Sequence, residues 1–498
     1  MTAILLPREE MRELRELLVR LGYVAAQLEA ACGTAVPPRR AMIPQFLHAT
    51  ARSETLALLA RAFLGALPVS AETAARHWPA RLREIFAASQ LVEKHNDMLV
   101  PRVLLVPVRG RLFASDSPRL LETSAASEFV PPAHTHAAAY LLDLTIRRPV
   151  VDLLDLGTGC GVQALIAADH AEHVVATDLN ARAVAYARFN SALNGLENVE
   201  CLTGDLFAPV GGRSFDLIVS NPPFVPAPDR RYTYRDTGMV LDGLTQRLIR
   251  EAPAHVKPGG YLQILCEWVE VQGESWQQRI AGWMTGLGCD AWVLRSPPQD
   301  PAAYAALRLA EIDAGQSAAE RSEAFGTWLE YFAQHHVKAI HPGAVVLRRR
   351  GGRNWMQVQP VQREIKPGAG EGILEHLRAC DFLAAHTRAE SLLDIVLTPA
   401  PDLAIEQSHR RAGDAWEVAG IRAWLTGGLP FDAELDPGSA ALLREFDGKS
   451  TVSECLWRLA DLVGEDFPEV RRRCLPVLRY FVERGLLRPP PAAASAAT

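Results

Sequence analysis

Val150-Val-Asp-Leu-Leu-Asp-Leu-Gly-Thr-Gly-Cys-Gly161 opens the stretch that decides the fold, and Asn221-Pro-Pro-Phe224 closes it. Val150 to Leu156 is the short apolar run of a strand buried on both faces, as in parallel sheets. Glycines 157, 159 and 161 permit a tight turn, and Val162 to His170 has helix-forming composition. Strand, glycine turn and helix in that order leave free backbone N–H groups and a positive helix end where an anionic group docks. The next strand, His173 to Asp178, ends in an acid. It stands about 20 residues beyond the first glycine, the spacing at which a carboxylate reaches ribose hydroxyls in nucleotide-binding βαβ units. Asp178 is the candidate ribose ligand.

A glycine turn can also serve a βα connection and nothing more, so the landmarks downstream carry weight. Val199-Glu-Cys-Leu-Thr-Gly-Asp205 reads as a third strand ending in an acid. Phe215-Asp-Leu-Ile-Val-Ser220 reads as a fourth, delivering Asn221-Pro-Pro-Phe224 at its carboxyl end, the edge where open α/β sheets hold ligands.

Together these residues resemble the class I S-adenosylmethionine-dependent methyltransferases, in the small-domain branch with an Asn-Pro-Pro-aromatic motif. That branch includes release-factor glutamine, ribosomal RNA guanine and adenine amino-methyltransferases. The resemblance covers about 100 to 150 residues, and the turn Gly157-x-Gly159-x-Gly161 departs from a dinucleotide fingerprint. It implies a seven-stranded Rossmann-like sheet and S-adenosyl-L-methionine as cofactor. Asp155, Gly157 and Gly159 would hold the methionine moiety, with Thr158 and Gly161 in the same turn. Asp178 with Leu179 would hold the ribose, and Asp205 with Leu206 the adenine. Related enzymes carry a proline-containing segment before the first strand that covers the cofactor; here Glu128-Phe-Val-Pro-Pro-Ala-His-Thr-His136 supplies His134 and Thr135 for that place. His134-x-His136 has no companion ligand at a characteristic spacing, so no metal is expected.

The chemistry follows from alignment. Methyl transfer needs a nucleophile lone pair on the line of the sulfonium–methyl bond, and the lone pair of an amide or exocyclic amine is delocalised. Two acceptors, the Asn221 side-chain oxygen and the Pro222 carbonyl, would favour the pyramidal form of such a nitrogen. Pro222 and Pro223 stiffen the loop, and Phe224 offers a flat face for stacking. Asn221, which also borders the cofactor, Pro222 and Phe224 are the catalytic candidates.

Outward from this core, residues 1–125 read as a helical, winged-helix-like domain. Ser70 caps a helix to Ser89, and Leu91 to Asp116 suggests a β-hairpin. Such modules bind nucleic acid, form a substrate lid or make a homodimer contact. Residues 126–362 are the methyltransferase domain, with a helical insertion at about 299–340 before a seventh strand, Gly343–Arg350. Residues 363–488 read as a C-terminal α+β, winged-helix-like domain, and Pro489–Thr498 as a disordered tail. The loop after the motif, "PAPDRRYTYRDTGMVLDG", offers Arg230, Arg231, Tyr232, Tyr234 and Arg235 as substrate contacts or as solvated covers. Glu267 and Trp268 end the fifth strand near the pocket, and Arg348–Arg350 is a candidate phosphate-contacting run.

The 498 residues carry a formal net charge of −6, so no global field draws a polyanion. The 8 cysteines have no paired short spacing, which argues against a disulfide framework or zinc site. With no apolar run of about 18 residues, no membrane segment is expected and the cytoplasm is the expected compartment. The sequence thus reads as an S-adenosylmethionine-dependent N-methyltransferase. Its acceptor is a protein or peptide amide, an RNA base or, third, a small metabolite. The reading from another class is an inactive methyltransferase-like scaffold, against which the intact Gly157, Gly159, Asp178 and Asn221 argue.

Overall fold

β-Strands buried on both faces order the larger part of the chain into one mixed sheet. β1 (Val150–Leu156), β2 (Ala171–Asp178), β3 (Val199–Thr203), β4 (Phe215–Ser220), β5 (Val256–Val271), β6 (Cys289–Arg295), β7 (Val337–Arg349) and β8 (Met356–Pro360) lie in the order β8-β6-β7-β5-β4-β1-β2-β3. Every pairing is parallel except those of β7, which is antiparallel to both β5 and β6. The computed structural model describes residues 5–51, 54–122, 126–311, 317–429 and 431–491. The chain divides into two compact units, residues 1–142 with 148–360, and residues 143–147 with 361–498.

The strand order reverses between β1 and β4, and this reversal sets the site. Leu156 pairs with Ser220 across the parallel register, so the glycine turn and Asn221 leave the sheet side by side. The sheet has one strand more than the seven expected. β8 adds parallel to the outer edge of β6. Its sequence Met-Gln-Val-Gln-Pro is only half-buried and ends in proline, an edge-strand pattern that reads as loop when taken alone.

Helices α1 (Val162–Ala167), α2 (Ala181–Leu193), α3 (Gly243–Glu251) and α4 (Trp276–Met284) connect the strands. Asn180 caps α2 by accepting from the Arg182 N–H at 2.9 Å, and Ser275 with Gln278 forms a capping box on α4. A core of Leu154, Ile218, Leu248, Ile264, Trp283 and Val345 binds sheet to helices. Between β6 and β7 stand α5 (Pro301–Ala310), capped by Asp300, and α6 (Ala318–Gln334), capped by Ser317 with Glu320. Their aromatic faces, Tyr304, Trp328 and Phe332, pack with Val225, Leu241, Val269 and Ile340, and Phe224 lies against the same cluster.

The N-terminal region carries helices from Arg8–Arg20 to Ala80–Ala88. Ser70 caps Ala71–His77 by accepting from Thr73 N–H at 3.1 Å. The single hairpin expected over 91–116 resolves into two sheets. Val92–His95, Met98–Pro101 and Val69–Ser70 form one, and Val103–Val108 pairs with Arg111–Asp116 in a two-stranded ribbon. Arg109 and Gly110, both at positive φ (47° and 79°), make the two-residue turn whose twist suits such a ribbon.

In the second unit, helices Ala369–Ala385, Pro437–Arg444, Val452–Val463 and Phe467–Glu483 enclose a core of Leu397, Leu443, Leu456, Leu478 and Phe481. A long hairpin, Leu403–Ala412 with Ala415–Leu425, is exposed over most of its length. Of the expected disordered tail, residues 492–498 lie outside the described residues. No helix among the described residues is long and apolar enough to cross a membrane.

Candidate active site at the carboxyl edge of the sheet

The glycine turn is held from both sides. Gly157 and Thr158 donate their N–H groups to the Thr177 carbonyl at 2.9 and 2.8 Å, and Gly159 donates to Asp178 Oδ2 at 2.9 Å. Asp178 Oδ1 accepts from the Asn180 N–H at 2.8 Å, and the Asp178 carbonyl accepts from Gly204 N–H at 3.0 Å. The Asp178 carboxylate thus ties the turn to the start of α2, and its main-chain carbonyl holds the loop leading to Asp205. Gly157, Gly159 and Gly161 have φ of 75°, 56° and 90°, a region closed to most side chains. A Cβ at Gly161 would also stand 2.9 Å from Leu165 and 3.2 Å from Ala187, so this glycine seats α1 against α2.

Asp155 is 1% exposed at the end of β1. Its Oδ2 accepts from Thr158 Oγ1 at 2.6 Å and Ala164 N–H at 3.0 Å, while Oδ1 is buried with no partner among the described residues. Burial raises its carboxyl to about 7. Burial also raises Asp178, against the amides that stabilise its charge. His134 Nδ1 is buried with no partner among the described residues, and burial lowers that imidazole to about 4, keeping it neutral. Thr135 caps the following helix, its Oγ1 accepting from Ala138 N–H at 3.2 Å. Beyond β2, Leu179 is 53% exposed, an apolar surface left open at the edge of the turn. Asp205 pairs with Arg247 at 3.2 Å, and Leu206 holds a left-handed φ of 45°.

A Cβ on Gly157 would lie 3.8 Å from Pro222 Cα, so the turn and the proline loop are in contact. Ser220 fixes the approach by donating Oγ to the Leu156 carbonyl at 2.8 Å. Pro222 is buried and Asn221 half-buried. Sequence reasoning therefore brings Asp155, Gly157, Thr158, Gly159, Gly161, Asp178 and Asn221 to one place.

The other candidates are engaged in packing. Tyr232 is 2% exposed, with the Arg231 and Arg235 guanidinium groups 5.4 and 5.2 Å from its ring. Arg235 donates to Asp236 at 2.8 Å and to the Arg308 carbonyl at 3.0 Å. Tyr234 lies 5.5 Å from Phe129, and burial raises its phenol to about 12. Glu267, 2% exposed, accepts from Tyr304 Oη and from Arg308 Nη2, which stands at 2.5 Å. Trp268 is fully buried and stacked 5.8 Å from His341. Glu267 and Arg235 fasten α5, while Trp268 packs instead with His341 and Trp276. The basic run is occupied as well. Arg348 and Arg350 reach the buried Asp290 at 2.7 and 3.5 Å, and Arg349 donates to the Val256 carbonyl at 2.6 Å.

Two polar residues near the turn escaped sequence reasoning, Asn190 and Asp116. Asn190 is fully buried on α2, and its Nδ2 donates to the Cys160 carbonyl inside the glycine turn at 2.8 Å. Asp116 accepts from Arg182 at 2.5 Å and Tyr186 at 2.8 Å. Both partnerships span at least 30 residues of chain, so local periodicity carries no sign of them.

Residues 135–270 match the family profile of the methyltransferase small domain, and residues 374–489 match a domain of unknown function, DUF7782. The release factor glutamine methyltransferase of Deinococcus radiodurans is 37% identical over 181 residues, 34% of this chain and 64% of that protein. Ribosomal RNA small subunit methyltransferase C of Alcanivorax borkumensis is 40% identical over 113 residues, 23% of this chain and 31% of that one. The ribosomal protein uL3 glutamine methyltransferase of Bradyrhizobium diazoefficiens is 40% identical over 130 residues, 23% and 40%. The chain spans less than two thirds of the length of each of these relatives. Residues 135–270 are thus a methyltransferase small domain, related to the release-factor glutamine and ribosomal RNA methyltransferases, in a family whose methyl donor is S-adenosylmethionine.

Proposed function

We propose that this chain is an S-adenosylmethionine-dependent N-methyltransferase acting on a planar nitrogen, the side-chain amide of a protein or peptide. The observation that carries this reading is the Asn221 side chain. It stands beside the glycine turn on a loop stiffened by Pro222 and Pro223, and no hydrogen bond joins it to any described residue. An amide so placed is available to an acceptor.

The residues present fit the cofactor. Asp155 Oδ1 is an unpartnered buried acceptor next to the turn, and the space above Gly159 is open to beyond 4 Å. In this reading Asp155, Gly157, Thr158, Gly159 and Gly161 receive the methionine portion. Asp178 and Leu179 receive the ribose, Asp205 and Leu206 flank the adenine, and His134 and Thr135 border the pocket. Bound S-adenosylmethionine supplies an electrophilic methyl group on a sulfonium. Asn221 Oδ1 and the Pro222 carbonyl accept the two N–H bonds of the incoming amide and direct its lone pair. Phe224, held on one side by the insertion, presents its other side to the amide plane. After transfer the nitrogen releases its proton to water, so the protein's contribution is alignment and exclusion of solvent.

A protein amide is favoured over an RNA base because three arginines of this edge are committed to carboxylates, which leaves the exposed Arg230 and Arg231. Arg235 pairs with Asp236, Arg308 with Glu267 and Arg247 with Asp205, while Arg348 and Arg350, paired with Asp290, lie at the opposite, amino edge of the parallel strands. With a net charge of −6, that leaves a weak electrostatic footprint for a polyanion. Two of the named relatives are glutamine methyltransferases of proteins. The test is transfer of labelled methyl from S-adenosylmethionine into a cell extract, with aliquots digested by nuclease or protease before counting. Label lost to protease supports the reading; label lost to nuclease, or small and resistant to both, moves the acceptor to RNA or to a metabolite.

A further inference from the structure

One face of α2 is a polar ladder. Arg182, Tyr186, Asn190 and Asn194 follow each other at intervals of four, which places them in one row on a helix. Opposite them runs the strand Arg111–Asp116, the last strand of the N-terminal region. Arg182 and Tyr186 both donate to Asp116 Oδ1. Asn190 treats Ala114 as a strand neighbour would, accepting its N–H at 2.7 Å and donating to its carbonyl at 2.9 Å. Asn194 does the same for Leu112, at 3.0 and 2.7 Å. The strand pairs with Val103–Val108 on one edge, and these side-chain amides satisfy the other. Asp116 also accepts from Val130 N–H at 2.8 Å, fixing the segment that leads to His134.

Asn190 differs from Asn194 in one respect. Its Nδ2 makes a second donation, to the Cys160 carbonyl at 2.8 Å, between Gly159 and Gly161. Asn194 spends its second donation on the Asn190 carbonyl at 2.8 Å. The side chain of Asn190 is 0% exposed and joins an N-terminal strand, α2 and the glycine turn. Gly159 needs a fixed peptide plane, because its N–H must reach Asp178 Oδ2.

We propose that Asn190 is a positioning residue for the cofactor turn, and that through it the N-terminal region, by way of Arg111–Asp116, sets the affinity for S-adenosylmethionine. Loss of the Asn190 amide frees the Cys160 carbonyl and lets the turn relax away from the geometry that the cofactor requires. The N-terminal region is then a working part of the cofactor site in addition to any role in docking the acceptor. This inference rests on the reading of the turn as the cofactor site.

The experiment compares Asn190→Ala with Asn194→Ala in the full chain, measuring S-adenosylmethionine affinity by calorimetry and stability by thermal melting. Both variants strip the strand of a two-bond partner, so both lower the melting temperature. Only Asn190→Ala should weaken cofactor binding, by about tenfold, the equivalent of one buried hydrogen bond to the turn. Should Asn190→Ala fail to fold, Asn190→Ser, whose single hydroxyl cannot serve both carbonyls, enters the same comparison. Equal affinities in the 190 and 194 variants, with wild type binding normally, would overturn the positioning role while leaving the cofactor reading intact. A wild-type chain that does not bind S-adenosylmethionine would overturn both.

Discussion

Replacing Glu267 by alanine should unfasten the insertion, and the structure allows the cost to be worked out. The carboxylate is 2% exposed and meets both the Tyr304 hydroxyl and Arg308. Removing one partner of a buried pair leaves an uncompensated charge, at about 3–5 kcal/mol. Arg308 keeps Glu311 at 2.9 Å, a partner whose side chain is 42% exposed, so the lower end of that range applies. The orphaned Tyr304 hydroxyl adds about 1 kcal/mol or more. The expected loss is therefore about 4 kcal/mol, a fall of roughly 5 °C in melting temperature for a unit of this size. The double variant Glu267→Leu with Arg308→Met should recover most of it, because well-packed apolar groups can replace a buried pair at little cost. Urea melts followed by tryptophan fluorescence suit the test, since the Trp328 ring lies 6.1 Å from that of Tyr304. Phe224 packs in the cluster that the insertion supplies, so turnover should fall as the lock is broken while S-adenosylmethionine affinity holds. A Glu267→Ala variant that melts like wild type yet has no turnover would refute this reasoning and make Glu267 a direct contact of the acceptor.

Asn221→Ala should lower turnover by roughly 100-fold with cofactor affinity nearly unchanged, as expected for loss of a preorganised acceptor; unchanged turnover removes Asn221 from the chemistry. Asp178→Ala should cost cofactor affinity and stability together, because the carboxylate also holds Gly159 and Asn180; calorimetry that finds wild-type affinity contradicts the ribose assignment. Asp155, at about 7 in the fold against an ordinary 3.8, keeps its proton in the folded chain where the unfolded chain has lost it. The folded state therefore binds more protons between those values, and its contribution to stability is full below about pH 4 and declines toward pH 7. The span corresponds to roughly 4 kcal/mol, and Asp155→Asn should flatten that slope in denaturation measured without cofactor. His376 has the opposite sign: burial lowers its imidazole from 6.5 to about 4, so stability falls as pH drops between those values. His376→Gln should remove a loss of about 3 kcal/mol in acid melts.

The local pattern was enough for the site's framework. Val150–Leu156, the glycines and Asp178 lie within 30 residues, and strand, turn and helix periods are properties of neighbours in sequence. Asn221 was legible for the same reason, as the residue after an apolar run. The eighth strand was not, because Met356–Pro360 becomes a strand only when the edge of β6 is there to pair with it.

What the sequence by itself determined is a Rossmann-like methyltransferase sheet and the residues of the glycine turn and proline loop at its carboxyl edge. Their types and spacing are dictated by backbone geometry that glycine, proline and a strand-end acid satisfy locally. What only the tertiary structure decided is which charged and aromatic groups remain available. Arg348–Arg350 reads as a basic patch until the register of β6 and β7 places Asp290 among it. Glu267 reads as a pocket residue until α5, 37 to 41 positions later, brings Tyr304 and Arg308 onto it. Asn190 is one polar residue on a helix until Ala114, 76 positions earlier, and Cys160 meet at its amide. A buried polar group must find a partner, and nothing local in the chain says how far away that partner is.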